Sequence, residues 1–119
     1  MKFQTFITEE NITKNAEKAE YQKNVTDKNE SQFEMIKRLE LDRVAHMVLV
    51  RHCEKKGIRF LSTAFDHESI DFLAELNIPF YKIPSGEITN LPYLRHIGQM
   101  GKPIIMSTGM ATLEEVRSA

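Results

Sequence analysis

The sequence predicts an α/β fold with parallel strands, a partial (β/α)8 barrel of about four βα units, and three observations carry that expectation. The segments Gly57–Thr63, Asn77–Gly86 and Gly101–Gly109 each run from Gly or Asn through a short apolar stretch to serine and its neighbours. Their serines, Ser62, Ser85 and Ser107, stand 23 and 22 residues apart, room for one strand, one helix and two short loops per repeat. Phe60-Leu61 and Ile104-Ile105-Met106 are apolar runs rather than alternations, the pattern of parallel strands covered on both faces.

Each element has its own local reason. Lys2 to Phe6 alternates polar and apolar residues, as a strand does. Residues 8 to 30 are rich in Lys, Asn, Glu and Thr and read as a long polar loop. Ser31 opens a helix with Phe33, Ile36 and Leu39 on one side, and Asp42 opens a longer one with Val44, Met47 and Val48. Gly57 stops the longer helix after Lys55 and Lys56, whose charges suit the negative end of the helix dipole. Asp66 caps a helix with the stripe Ile70, Leu73 and Leu76, which Asn77 ends in a left-handed conformation. Asn90 and Pro92 open another, carrying Leu94 and Ile97 and closed by Gly101. Thr112 and Glu115 have the spacing of a capping box.

The chain starts in a strand and stops seven residues after Thr112. Residues 1–119 are therefore expected to be a fragment of a barrel that typically needs ~250 residues. A complete small doubly wound domain is the structural alternative.

Composition narrows the partners. Among 119 residues, 41% are hydrophobic, and 16 Lys and Arg face 17 Asp and Glu, so a basic footprint for nucleic acid is missing. No apolar run approaches the ~20 residues that span a bilayer, and the N-terminus lacks the regions of a signal peptide. One cysteine, Cys53, allows no internal disulfide and suits a reducing, cytoplasmic setting, with the thiol as a small buried hydrophobe. His46 and His52 fall on different helix faces and His67 and His96 stand alone, so all four histidines are expected at the surface and no metal pair is foreseen. Walker, dinucleotide-binding and G-x-S-x-G motifs are absent.

In parallel α/β folds, sites gather at the carboxyl ends of strands. Gln4 and Thr5, Ser62 and Thr63, Ser85 and Glu87, and Ser107 and Thr108 all fall there. Hydroxyls, the small residues Gly86 and Gly109, and the lysines Lys2 and Lys82 suit a phosphate or carboxylate. Lys82 is the most telling, because a charge inside an apolar strand needs solvent, a carboxylate or an anionic ligand. Glu87 could be its salt-bridge partner or a general acid or base.

The strings Lys2-Phe3-Gln4-Thr5, Phe60-Leu61-Ser62-Thr63-Ala64-Phe65-Asp66, Tyr81-Lys82-Ile83-Pro84-Ser85-Gly86-Glu87 and Pro103-Ile104-Ile105-Met106-Ser107-Thr108-Gly109-Met110 resemble, in order and spacing, the N-acetylneuraminate (sialic acid) synthase family. The resemblance covers nearly the whole chain and implies roughly the second to the fifth strand of a (β/α)8 barrel. It implies a transferase that condenses phosphoenolpyruvate with the open-chain aldehyde of an N-acetylated amino sugar, N-acetylmannosamine or a related hexosamine. The products are a nine-carbon 2-keto acid and phosphate. By the same resemblance Lys2, Thr63, Lys82, Ser85 and Ser107 surround phosphoenolpyruvate, Glu87 is catalytic and faces the sugar, and Gln4 lies near it. A divalent metal, Mn2+ or Mg2+, is implied with its ligands outside this chain, as are an arginine from a C-terminal antifreeze-like domain and a homodimer of the full-length protein. Ala64 and Pro84 depart from the proline and glycine usual in the family, which touches the loops beside Thr63 and Ser85 but no ligand. On this reading the chain alone is inactive. The Ser-Gly-Glu ending favours the sialic and legionaminic branches over the pseudaminic one. A non-catalytic α/β module that binds phosphate is the alternative from a different class.

Overall fold

The computed structural model describes residues 1–13, 16 and 30–119. Their elements are β1 (Lys2–Thr5), α1 (Thr8–Asn11), α2 (Gln32–Lys37), α3 (Arg43–Lys55), β2 (Leu61–Ala64), α4 (His67–Glu75), β3 (Tyr81–Ile83), a 3-10 turn (Ser85–Glu87), α5 (Leu91–Gln99), β4 (Ile104–Met106) and α6 (Leu113–Ser118). The expected loop at 8–30 differs at its start, where α1 forms. Its N-terminus has no side-chain cap of its own, and the distant Glu40 serves instead by accepting from the Thr8 N–H at 2.9 Å and the Thr8 hydroxyl at 2.6 Å. Residues 14, 15 and 17–29 of that loop lie outside the described residues.

Helix starts follow the chemistry of their caps. Asp42 accepts from the Ala45 N–H, Asp66 from that of Ser69 and Asn90 from that of Tyr93, while Ser31 with Glu34 and Thr112 with Glu115 form capping boxes. The ends at Gly57 (φ 65°), Asn77 (φ 51°) and Gly101 (φ 64°) are left-handed. In this conformation Lys102 donates to the Asn77 side chain and the Ile78 carbonyl.

β1 pairs with β2 and β3 with β4, both in parallel, with Lys2 opposite Leu61, Gln4 opposite Thr63 and Lys82 opposite Ile105. β2 and β3 lie side by side without a ladder of backbone hydrogen bonds. The core is a single layer between these strands and the helices α4 and α5. Ile70 and Leu73 from α4 and Tyr93 and Ile97 from α5 pack on Ala64, Ile78, Tyr81 and Ile83. Two buried phenols tie helices to sheet: Tyr93 donates to the Ala64 carbonyl at 2.8 Å, and Tyr81 to that of Ile70 at 3.0 Å.

Three expected apolar faces differ. In α3, Val44, Met47 and Val48 are exposed, and the face turned inward is His46, Leu49, Val50 and Cys53. Both stripes have helical spacing, so periodicity could not choose between them. The inner one wins through His46, which lies edge-on to Phe72 at 5.2 Å and bonds through Nε2 to the Thr5 hydroxyl at 2.8 Å. In α2 it is Met35 that is buried, while Leu39 lies beyond the helix and is exposed. β4 was expected to be covered on both faces, yet Ile104 and Ile105 are 42% and 51% exposed, because β4 has a neighbour only on its β3 side among the described residues.

Candidate active site

Strand alternation sorts the side chains into two sets. Thr5, Ser62, Ala64, Tyr81 and Ile83 turn toward the helices, where Thr5 bonds both Ser62 and His46. By period two, Lys2, Gln4, Thr63 and Lys82 take the face opposite α4 and α5, and Ser107 follows β4 on that side. There, Lys82 Nζ donates to Ser107 Oγ at 2.6 Å and to the Ile83 carbonyl at 2.7 Å. Both acceptors are neutral. Burial, with the charge of Lys2 added to it, holds the Lys82 ammonium below the ordinary lysine value. Among the described residues Lys82 makes no ion pair with a carboxylate. Two lysines near each other on a face with hydroxyls and no paired anion form an electropositive patch suited to an anionic ligand.

The expected site residues do not all converge. Thr63 is 1% exposed, and its hydroxyl oxygen is enclosed with no hydrogen-bond partner among the described residues, at an ordinary cost of about 1–3 kcal/mol for such a group. Gln4 is exposed beside it in the register. Ser85 opens the 3-10 turn after β3 and lies near Gly109, where an added Cβ would come within 3.8 Å of Ser85 Oγ. Glu87 does not meet Lys82. It accepts from the Asn90 amide at 2.7 Å and lines a cleft of about 430 Å³ with Asn11, Phe65, Asp66 and Tyr93.

Sequence reasoning missed several polar residues here. Asp66 was expected only as a cap, yet its second oxygen also accepts from the Ile7 N–H and the Asn11 amide, fixing the segment after β1 against β2. His46 is buried rather than exposed, and its fixed role between Thr5 and the Asp42 carbonyl carried no local signal. His67 and His96 are not isolated: their Nδ1 atoms lie 2.6 Å apart, and His96 Nε2 is 2.8 Å from Asp71. Their separation of 29 residues hid that contact. Among the described residues no group of three or more His, Cys, Asp or Glu side chains is arranged to hold a metal ion. No helix among them is long and apolar enough to cross a membrane.

Parallel strands joined by helices, with lysines and hydroxyls gathered toward the carboxyl ends of the strands, define the class as a parallel α/β fold. The chain belongs to the NeuB family, which matches it over residues 1–119. It is 52% identical over its whole length to the N,N'-diacetyllegionaminic acid synthase of Campylobacter jejuni, of which it covers 36%. It is 50% identical to the protein of the same description from Legionella pneumophila, covering 33% of that chain. The fold matches the N-acetylneuraminic acid (sialic acid) synthetase of Leptospira borgpetersenii with a TM-score of 0.76, at 24% identity, over 98% of this chain and 36% of that one. The chain thus spans about a third of the length of the curated relatives it matches.

Proposed function

We propose that this chain is the part of a sialic-acid-type synthase that holds phosphoenolpyruvate, within a (β/α)8 barrel of which it supplies about the second to the fifth strand. The carrying observation is Lys82, a partly buried ammonium beside Lys2 whose bonds among the described residues go to neutral oxygens. An anion bound there supplies the missing opposite charge. Lys2, Lys82, Ser107 and Ser85 hold the carboxylate and phosphate, and Thr63 gains a partner if the strand ends adjust around the ligand.

The reaction joins C3 of phosphoenolpyruvate to the aldehyde carbon of an open-chain N-acetylated amino sugar, and the aldehyde oxygen takes up a proton. Water adds to C2, and inorganic phosphate leaves as the 2-keto group forms, giving a nine-carbon acid. Glu87, at the edge of its cleft, moves a proton at the sugar or at the entering water. Asn90, bonded to Glu87, orients that carboxylate. A divalent ion, Mn2+ or Mg2+, would polarise the sugar aldehyde when bound, and its ligands are assigned outside this chain. The full-length protein is taken to act as a cytoplasmic homodimer.

The relatives described as N,N'-diacetyllegionaminic acid synthases favour a sugar carrying two acetamido groups over N-acetylmannosamine. Full-length protein given phosphoenolpyruvate with either sugar tests the reading through phosphate release. Release that depends on the sugar is expected, and release with neither sugar would overturn it. Binding of phosphoenolpyruvate without any condensation would favour the phosphate-binding module.

A further inference from the structure

A second pocket adjoins the Glu87 cleft. Asn11 and Phe65 line both, so the wall that ends one begins the other. The second pocket, of about 460 Å³, falls within the roughly 300–1,000 Å³ of small-ligand sites and is walled mainly by Phe6, Ile12, Ile36, Leu39 and Leu41. Two of these, Ile36 and Leu39, belong to the apolar side expected of the helix that Ser31 opens, and they face this pocket. Its polar groups are two carboxamides. Asn11 donates Nδ2 to the Ile7 carbonyl at 2.9 Å and to Asp66 Oδ2 at 3.0 Å, which fixes its amide and leaves Oδ1 as an acceptor. Gln4, exposed at the other side, has both a donor and an acceptor to offer.

We infer that this pocket receives an acylamino substituent of the amino sugar and sets the preference for a sugar bearing two of them. This rests on the proposed condensation and names a specificity site within it. An acetamido group has three parts: an N–H, a carbonyl and a methyl. The Asn11 carbonyl accepts from the N–H, the Gln4 amide donates to the carbonyl, and the methyl lies against Phe65, Phe6 and Ile36. The neighbouring cleft is lined by the carboxylates of Glu10, Asp66, Glu68 and Glu87 and suits hydroxyls rather than a methyl. A sugar reacting at Glu87 can therefore extend its apolar substituent past Phe65.

The test compares kcat/KM of the full-length enzyme for a diacetamido hexose and for N-acetylmannosamine. Leu39→Trp fills the pocket from an exposed position, which keeps the fold safe, and Ile36→Ser makes its wall polar. Each is expected to lower the ratio of diacetamido to monoacetamido kcat/KM by about 10- to 100-fold, the scale at which apolar pockets discriminate. An unchanged ratio in both variants, or a wild-type preference for the monoacetamido sugar, overturns this inference alone. Turnover of neither sugar by the wild-type enzyme overturns the functional reading and this inference with it.

Discussion

Replacing Lys82 by methionine in the full-length protein separates a ligand-holding lysine from a structural one. Two charge-assisted hydrogen bonds, to Ser107 Oγ and the Ile83 carbonyl, are lost, each worth about 1.5–3 kcal/mol. Against that loss, removing a partly buried ammonium relieves a desolvation cost of several kcal/mol and the repulsion from Lys2. The two sides nearly cancel. Lys82→Met is expected to change stability by less than about 1 kcal/mol, whereas a lysine in a structural ion pair would lose about 3–5 kcal/mol. Affinity for phosphoenolpyruvate has no such compensation and should fall by about 2–5 kcal/mol, roughly 30-fold to several thousand-fold. Urea melts and calorimetric titration with phosphoenolpyruvate read the two quantities separately. A variant that melts early yet binds phosphoenolpyruvate like the wild type would refute the reasoning.

Four further outcomes follow from the same geometry. Glu87→Gln should lower turnover by roughly 10²–10⁴ while phosphoenolpyruvate still binds, measured by steady-state kinetics beside calorimetry. His46→Ala should cost about 2–5 kcal/mol in urea unfolding, since it empties a site between Phe60 and Phe72 and removes bonds to Thr5 and Asp42. Because Lys82 is held below the ordinary lysine value of 10.5, the folded state loses that proton at lower pH than the unfolded chain. Its charge costs stability below the folded value, and the cost disappears as pH rises from the folded toward the unfolded value. Phosphoenolpyruvate affinity should weaken over the folded titration, and Lys2→Met should move that loss to higher pH in titrations across the alkaline range. The isolated chain of 119 residues should be inactive and self-associate through the exposed Ile104 and Ile105 edge, read by sedimentation at several concentrations; a monomer that unfolds cooperatively would count against this.

Much of the fold was legible because its signals are local. Caps at Asp42, Asp66, Asn90 and Thr112 and left-handed ends at Gly57, Asn77 and Gly101 depend on residues within a few positions, so the sequence carries them directly. Which stripe of α3 faces inward depends on Thr5, Phe60 and Phe72, none of them in that helix, and two stripes of equal period left the choice open. The serine and lysine pattern at strand ends grouped Lys82 and Ser107 at one candidate site but did not name their contact, which spans 25 residues and arises because parallel register sets Ser107 two positions beyond Ile105, the partner of Lys82. Glu87 could not be assigned to a partner in that way. It closes the 3-10 turn after β3, where its carboxylate accepts from the Asn90 amide rather than from Lys82. The second pocket was hidden for the same reason as the His67 and His96 contact: its walls come from segments that meet only in the folded chain.

The most direct measurement is product analysis after full-length protein is given phosphoenolpyruvate labelled in all three carbons, a diacetamido hexose and a divalent ion. The account predicts a nine-carbon 2-keto acid that retains all three labelled carbons, formed in equal amount with inorganic phosphate and lost together with it in Lys82→Met below saturating phosphoenolpyruvate. Labelled pyruvate and phosphate without any nine-carbon product, or undiminished product from the Lys82 variant under those conditions, would contradict it.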